Sequence, residues 1–281
     1  MTESFVDANG CLTWTAVEGS GPPVVLLHGG PGACDYTAPV VSMLADRYTV
    51  HRYEQRGCGR TAAVQPYAMA TLVTDLDTLR ERWGHDRISV VGHSFGAALA
   101  FLYATEHPDH VERLVLWCGV GITDGWQPAH RDAVAARLLP AELARMDELR
   151  DLRLAGTPDP DGSSDREAMR LLALSDLADR ANAAVLPDPI LDYPTNWSVS
   201  RAVNADWRRL IGSGELERRA LRLPIRTAVW NSEGDPRPTE PARHLASVIP
   251  RATFELLPGA GHVPWFERLD AVRARLRELL A

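Results

Sequence analysis

Four cysteines in 281 residues are too few and too scattered for a disulfide framework. Cys11, Cys34, Cys58 and Cys118 form no C-x-x-C pair, and no His/Cys cluster has zinc spacing. Buried free thiols in a reducing compartment are the expectation. Basic charge is also scarce. Thirty Lys and Arg face 37 Asp and Glu, a net charge of −7, so the chain has no basic footprint for nucleic acid. No apolar run approaches the roughly 18 residues of a membrane span. The start, MTESFVDANG, carries acids and no apolar stretch, so no secretory leader is expected there. These absences predict a cytoplasmic protein with no membrane or nucleic-acid partner. Repeats and low-complexity tracts are lacking too.

What is present is ordinary globular composition, 45% hydrophobic and 24% charged. The length suits one large α/β domain, or a core with one insertion. Short extended runs on either side of Asn9-Gly10 predict a hairpin. The apolar run in PPVVLLHGGPG, residues 22–32, predicts a strand buried on both faces. Further strands are expected at 48–53, 87–91, 111–118, 225–230 and 252–257. Helices are expected at 67–83, 95–106, 240–248 and 265–280. Strand–helix alternation of this kind predicts a mostly parallel sheet flanked by helices. Residues 123–213 break the pattern. Helices are expected there at 140–154, from the capping-box sequence SDRE at Ser164 to about Ala183, and at 197–211. The division is therefore a core of 1–122 and 214–281 with a helical cap, 123–213, inserted in it.

The stretch SVVGHSFGAALA, Ser89 to Ala100, carries the chemistry. A serine between two glycines sits where a strand turns sharply into a helix. The glycines leave room for the crowded backbone. The turn lifts the Ser94 hydroxyl to the sheet's carboxyl edge, where ligands of open α/β sheets bind. The Phe95 N–H, at the helix N-terminus, is one donor for an oxyanion. Serine needs a base. Among nine histidines, His262 fits best, in the glycine-rich loop after the last expected strand. His93 adjoins Ser94 and should point away from it, and His130 is expected on a polar surface. The base needs an acid to fix its tautomer. Asp235 is assigned, in a sharp Gly-Asp-Pro turn; Glu233 is the competitor and Asp124 a weaker alternative. Gly30, in His28–Gly32, supplies the second oxyanion N–H, and His28 braces that loop. This chemistry requires no cofactor or metal. Trp126, Trp197, Trp207 and Trp265 are candidates to line a pocket.

The order Ser94, Asp235, His262, with GHSFG, HGGPG and an inserted cap, resembles the α/β-hydrolase fold over the whole chain. Within it, HGGPG followed by YEQRGCGRT (Tyr53–Thr61) resembles the proline iminopeptidase family, whose usual loop is D-Q-R-G-x-G-x-S. Glu54 and Thr61 replace that loop's Asp and Ser. His93 and Phe95 depart from the family's G-G-S-W-G elbow, and the W-x-x-W-E stretch that supplies acids for a substrate's amine is missing. The resemblance implies fold and triad more strongly than a peptide substrate. The implied activity is serine hydrolysis of an ester, amide, lactone or thioester of a small, partly apolar molecule. The alternatives are an iminopeptidase-type aminopeptidase, or a non-hydrolytic lyase, cyclase or ligand receptor on the same fold. The cap acids Glu142, Asp147, Glu148, Asp176 and Asp192 are expected on helix surfaces, leaving a mainly apolar roof.

Overall fold

The computed structural model describes residues 1–281. Eight strands form one sheet: β1 (Thr2–Ala8), β2 (Cys11–Glu18), β3 (Pro23–Leu27), β4 (Thr49–Tyr53), β5 (Ile88–His93), β6 (Val111–Trp117), β7 (Thr227–Ser232) and β8 (Ala252–Leu257). Their order across the sheet is β1-β2-β4-β3-β5-β6-β7-β8. β1 pairs antiparallel with β2, and β2 with β4; all later pairs are parallel. The β1–β2 turn has Asn9 and Gly10 both at positive φ, as a tight hairpin of this twist demands.

Alternation along the strands explains the unbroken apolar runs. Val25, Leu27, Val90, Leu114, Leu116 and Val229 face one core; Val24, Leu26, Val91, Val115, Trp117 and Trp230 face the other. The first core is closed by α2 (Met69–Arg82), α3 (Phe95–Glu106) and α9 (Glu240–Val248), and the second by α1 (Ala38–Leu44) and α10 (Leu269–Leu280). Between β6 and β7 lie α4 (Gln127–Arg137), α5 (Pro140–Leu154), α6 (Ser163–Asp176), α7 (Trp197–Gly212) and α8 (Glu215–Ala220), with no strand. β3 sits between β4 and β5, so the chain leaves β3 toward one side and returns on the other. Ligands bind at such a reversal. The loops after β3 and β5, which carry Gly30 and Ser94, open there.

The structure corrects several expected elements. The helix expected to reach Ala183 stops at Asp176, where Leu177 turns extended. Ser164 is not its cap. Gly162 precedes the helix at positive φ, Asp159 accepts the Ser164 and Asp165 N–H groups, and Glu167 pairs with Arg145. The last helix starts at Leu269, because Pro264–Phe266 form a separate tight turn that buries Trp265. α1, α4 and α8 were not expected: α1 and α8 are short, and α4 buries only Val134.

Candidate active site

Ser94 stands at φ 56°, ψ −120°, a backbone conformation few non-glycine residues adopt. Its neighbours make that turn possible. A Cβ on Gly92 would strike the Gly96 carbonyl, and one on Gly96 would strike the Leu27 carbonyl of β3. The elbow is thus pressed between β3 and α3. The Ser94 N–H is held by the Trp117 carbonyl at 2.8 Å.

The Ser94 hydroxyl lies 2.9 Å from His262 Nε2, and His262 Nδ1 lies 2.6 Å from Asp235 Oδ2. His262 and Asp235 are buried, while Ser94 keeps partial access. Glu233 is exposed, as is Asp124, which bonds only Gly125 and Gln127. Burial pushes the Asp235 carboxyl up, but His262, Arg237 and their hydrogen bonds outweigh it and hold the group well below the usual carboxylate range. Gly30 lies at φ 61° in the turn whose carbonyl accepts the Ala33 N–H at 2.7 Å. Phe95 opens α3, where the first N–H groups find no partner inside the helix.

His28 ties the glycine loop after β3 to the loop after β4. Its Nε2 accepts the Gln55 N–H at 3.1 Å, and the Gln55 amide donates to the His28 carbonyl at 2.9 Å. His93 does point away from Ser94, but it reaches His262 from behind. Its Nε2–H donates to the His262 carbonyl at 2.7 Å, and its Nδ1 accepts from Tyr36 Oη at 2.8 Å. Tyr36 Oη accepts the Gly29 N–H at 2.8 Å. One chain of hydrogen bonds therefore joins the glycine loop to His262. Burial, then the charge of His262, depresses the His93 pKa well below its ordinary value, which keeps the ring neutral for this pattern.

Two cavities meet at Ser94, and Gly30 and Arg237 line both. The first, about 230 Å³, runs under α4 and α7 among Phe95, Phe101, Trp126, Trp207 and Leu245. The second, about 290 Å³, lies beneath α6 and residues 186–192, with Tyr36, Met169, Leu191 and Phe266 in its wall. Of the four tryptophans considered, Trp126 and Trp207 line the first cavity. Trp197 instead stacks under Arg153 and bonds Asp165, and Trp265 packs between Tyr36 and His93.

Three polar residues stand in the site against expectation: His130 and Asp176, expected on surfaces, and Arg237, which the sequence had not singled out. His130 lines the first cavity with a buried Nε2 that has no partner, and burial followed by the charge of Arg237 brings its pKa down to about 4. Asp176 is buried, contrary to the expected helix surface, and lines the second cavity with Asp192. Arg237 joins Asp176 at 2.7 Å to Asp235 Oδ1 at 3.2 Å. Glu142, Asp147 and Glu148 do lie outward, paired with Arg180, Arg150 and Arg145. The residue two places after an expected acid, in a Gly-Asp-Pro-Arg turn, was the one available signal for Arg237; a polar residue at the end of an amphipathic helix gives none for Asp176.

The chain as a whole has relatives among known proteins. The curated proline iminopeptidase of Lactobacillus delbrueckii subsp. bulgaricus is 26% identical over 305 residues, covering 100% of this chain and 97% of that one. The crystal structure of proline iminopeptidase from Mycobacterium smegmatis superposes with a TM-score of 0.69 at 21% identity, covering 99% and 97% of the two chains. A meta-cleavage product hydrolase from Pseudomonas fluorescens gives 0.75 at 21% identity over 98% and 96%. The family model for the alpha/beta hydrolase fold matches residues 22–269. With an eight-stranded sheet of this order and a serine elbow at its reversal point, the chain belongs to the α/β-hydrolase fold family and resembles its proline iminopeptidases.

Proposed function

We propose that the protein is a serine hydrolase that cleaves a small, partly apolar ester, amide, lactone or thioester through an acyl-enzyme. The observation that carries this reading is the unbroken contact Ser94–His262–Asp235, at 2.9 and 2.6 Å, at the junction of two cavities. Ser94 Oγ attacks the carbonyl carbon as His262 Nε2 takes its proton. The Gly30 and Phe95 N–H groups receive the developing oxyanion. Collapse of the tetrahedral intermediate breaks the bond to the leaving group, which takes the proton from His262. Water then repeats the sequence on the acyl-enzyme. The cap, residues 123–213, roofs both cavities, so acyl and leaving groups are recognised separately on either side of Ser94. The mechanism requires no cofactor, and its substrate is a small molecule.

Aminopeptidase action is the second reading. The names of the full-length relatives favour it, as does the exposed Asp192 at the rim of the second cavity. Asp176 does not add to it, because Arg237 already neutralises that carboxylate. A burying pocket for a free ammonium needs an unspent acid.

One experiment separates the two. A fluorophosphonate should label Ser94 in the pure protein, and labelling elsewhere would refute the nucleophile. A panel of p-nitrophenyl esters and aminoacyl p-nitroanilides, with free and acetylated amines, should show ester turnover that an acetyl group does not abolish. Turnover restricted to free-amine anilides would establish the second reading instead.

A further inference from the structure

Asp235 and His262 are each preceded by glycine, Gly234 and Gly261. The space those glycines leave is filled by one short stretch of the cap. A Cβ on Gly261 would strike the Asp176 carbonyl, and a Cβ on Gly234 would strike Ala178. The stretch is fastened from several sides. The Asp176 carbonyl accepts the His262 N–H at 2.7 Å. Arg137 donates to the carbonyls of Ser175, Leu177 and Gly234 at 3.0, 3.3 and 2.8 Å. Glu267 accepts the N–H groups of Gly261 at 2.7 Å and Ala178 at 3.1 Å. The Asp176 side chain enters the charge network, since Arg237 donates to it at 2.7 Å and to Asp235 Oδ1 at 3.2 Å, and the Arg237 backbone N–H also reaches Asp235 Oδ1 at 2.9 Å.

We propose that Asp176 is a positioning residue for the triad: through Arg237 it offsets the charge that the arginine imposes on Asp235, and through its carbonyl it aims His262. The proposal rests on the serine-hydrolase reading. Its logic is electrostatic. An acid beside the base stabilises the imidazolium that forms as Ser94 attacks. A guanidinium on the same carboxylate spends part of that effect. A second carboxylate on the guanidinium restores it. The set Asp176, Arg237 and Asp235 carries a net charge of minus one, supplied in part by the cap. A protein whose cap had swung away would lose both contacts at once, so the nucleophile is fully activated only with the cap seated.

Other charged and titratable groups around His262 are few. His93 approaches from the end of β5 and Cys118 from the end of β6. His130 on α4 senses Arg237, Asp176 and His262, and Glu267 acts through the Gly261 N–H. His93 and His130 have depressed pKa values through burial, and burial raises the Cys118 thiol. These three are neutral through the working range. Glu267 and Arg137 touch only the main chain beside His262 and Asp235, through the Gly261 N–H and the Gly234 carbonyl, which leaves Asp176 and Arg237 as the charged side chains joined to the Asp235 carboxylate itself.

The test uses the whole protein with Asp176→Asn, Arg237→Gln and the double change. The rate of Ser94 labelling by a fluorophosphonate and the hydrolysis of p-nitrophenyl butyrate are followed against pH. Removing Asp176's charge makes the local field less negative, so the acidic limb of the profile should move to lower pH, on the order of one unit. Labelling at neutral pH should fall about tenfold. Removing Arg237's charge should move the limb to higher pH by a similar amount. The double variant, again at minus one, should return close to the wild-type limb. A merely structural role gives losses without opposed, cancelling shifts. Limbs that stay put, or move together, overturn the proposal, and if Arg237→Gln fails to fold, the Asp176→Asn and double variants still decide it. The low-field proton NMR signal of the Asp235–His262 hydrogen bond reports the same titrations without turnover. Wild-type protein inert to both probes thus refutes the hydrolase reading, while the NMR shifts still accept or reject the network.

Discussion

Asp235→Asn tests the acid where its alternatives can be separated most sharply. In the folded protein the Asp235 side chain is fully buried, with one oxygen on His262 at 2.6 Å and the other on Arg237. Asparagine has nearly the same shape. It keeps an oxygen for the Arg237 N–H, but it can present an NH₂ to His262. That holds the proton on Nε2, the atom that must accept from Ser94, and takes away the charge that stabilises the imidazolium. The expected loss in kcat is about 10⁴-fold, or about 5.5 kcal/mol of activation free energy at about 1.4 per decade. Folding should suffer much less. Arg237 retains Asp176 as its partner, so no buried charge is left alone. Glu233→Gln should change kcat by less than about twofold, because that side chain is exposed. The assay is hydrolysis of p-nitrophenyl butyrate at saturating substrate, with thermal unfolding of each variant beside it. A loss under tenfold for Asp235→Asn in a normally folded protein would refute the assignment. So would a loss at Glu233 as large as that at Asp235.

Gly96→Ala should destabilise the protein by about 3 kcal/mol and lower Tm, since its Cβ meets the Leu27 main chain and α3 must lift off β3; an unchanged Tm would show that the elbow has slack. Asp77 gives a pH signature: burial raises its pKa, but hydrogen bonds from Arg80, His110 and Tyr103 prevail and bring it down to about 2. Its folded value is depressed, so its contribution, about 2 kcal/mol, is present above the unfolded value near 4 and is lost as pH falls toward 2. Asp77→Asn should therefore be less stable than wild type at pH 7, and urea unfolding should show that gap closing between about pH 4 and pH 2.

Most of the sheet can be read from the chain because its strands are buried on both faces. Val24–Leu27 and Val90–Val91 read as apolar runs ending in glycine loops, and those loops carry Gly30 and Ser94. The meeting of Ser94, Asp235 and His262 follows from the same pattern, since each follows one of the parallel strands β5, β7 and β8 of the sheet. The helices of residues 127–220 obey a weaker signal. Polar residues on an amphipathic helix look alike whether they face solvent or a cavity, which hides His130 and Asp176. The end of α6 is invisible for a related reason. The helical pattern continues past Asp176, but tertiary bonds from His262 and Arg137 take the carbonyls there. Trp265 misleads similarly: it continues a helical pattern, yet its burial against Tyr36, His93 and Trp117 pulls it into a tight turn.

The fit of Asp176–Ala178 against Gly234 and Gly261 sets the terms for building chimaeras from this scaffold. Helices α4–α8 look like a module with two cut points, to be exchanged for a relative's when a new specificity is wanted. Yet the donor must bring a backbone carbonyl to meet the His262 N–H, or leave that buried donor unsatisfied at a cost of about 1–3 kcal/mol. It must also bring an acid for Arg237, or the recipient must give up the arginine with the module. Selectivity and turnover should therefore be inherited together, and libraries that shuffle the helices while holding residues 175–178 constant should retain the most active members.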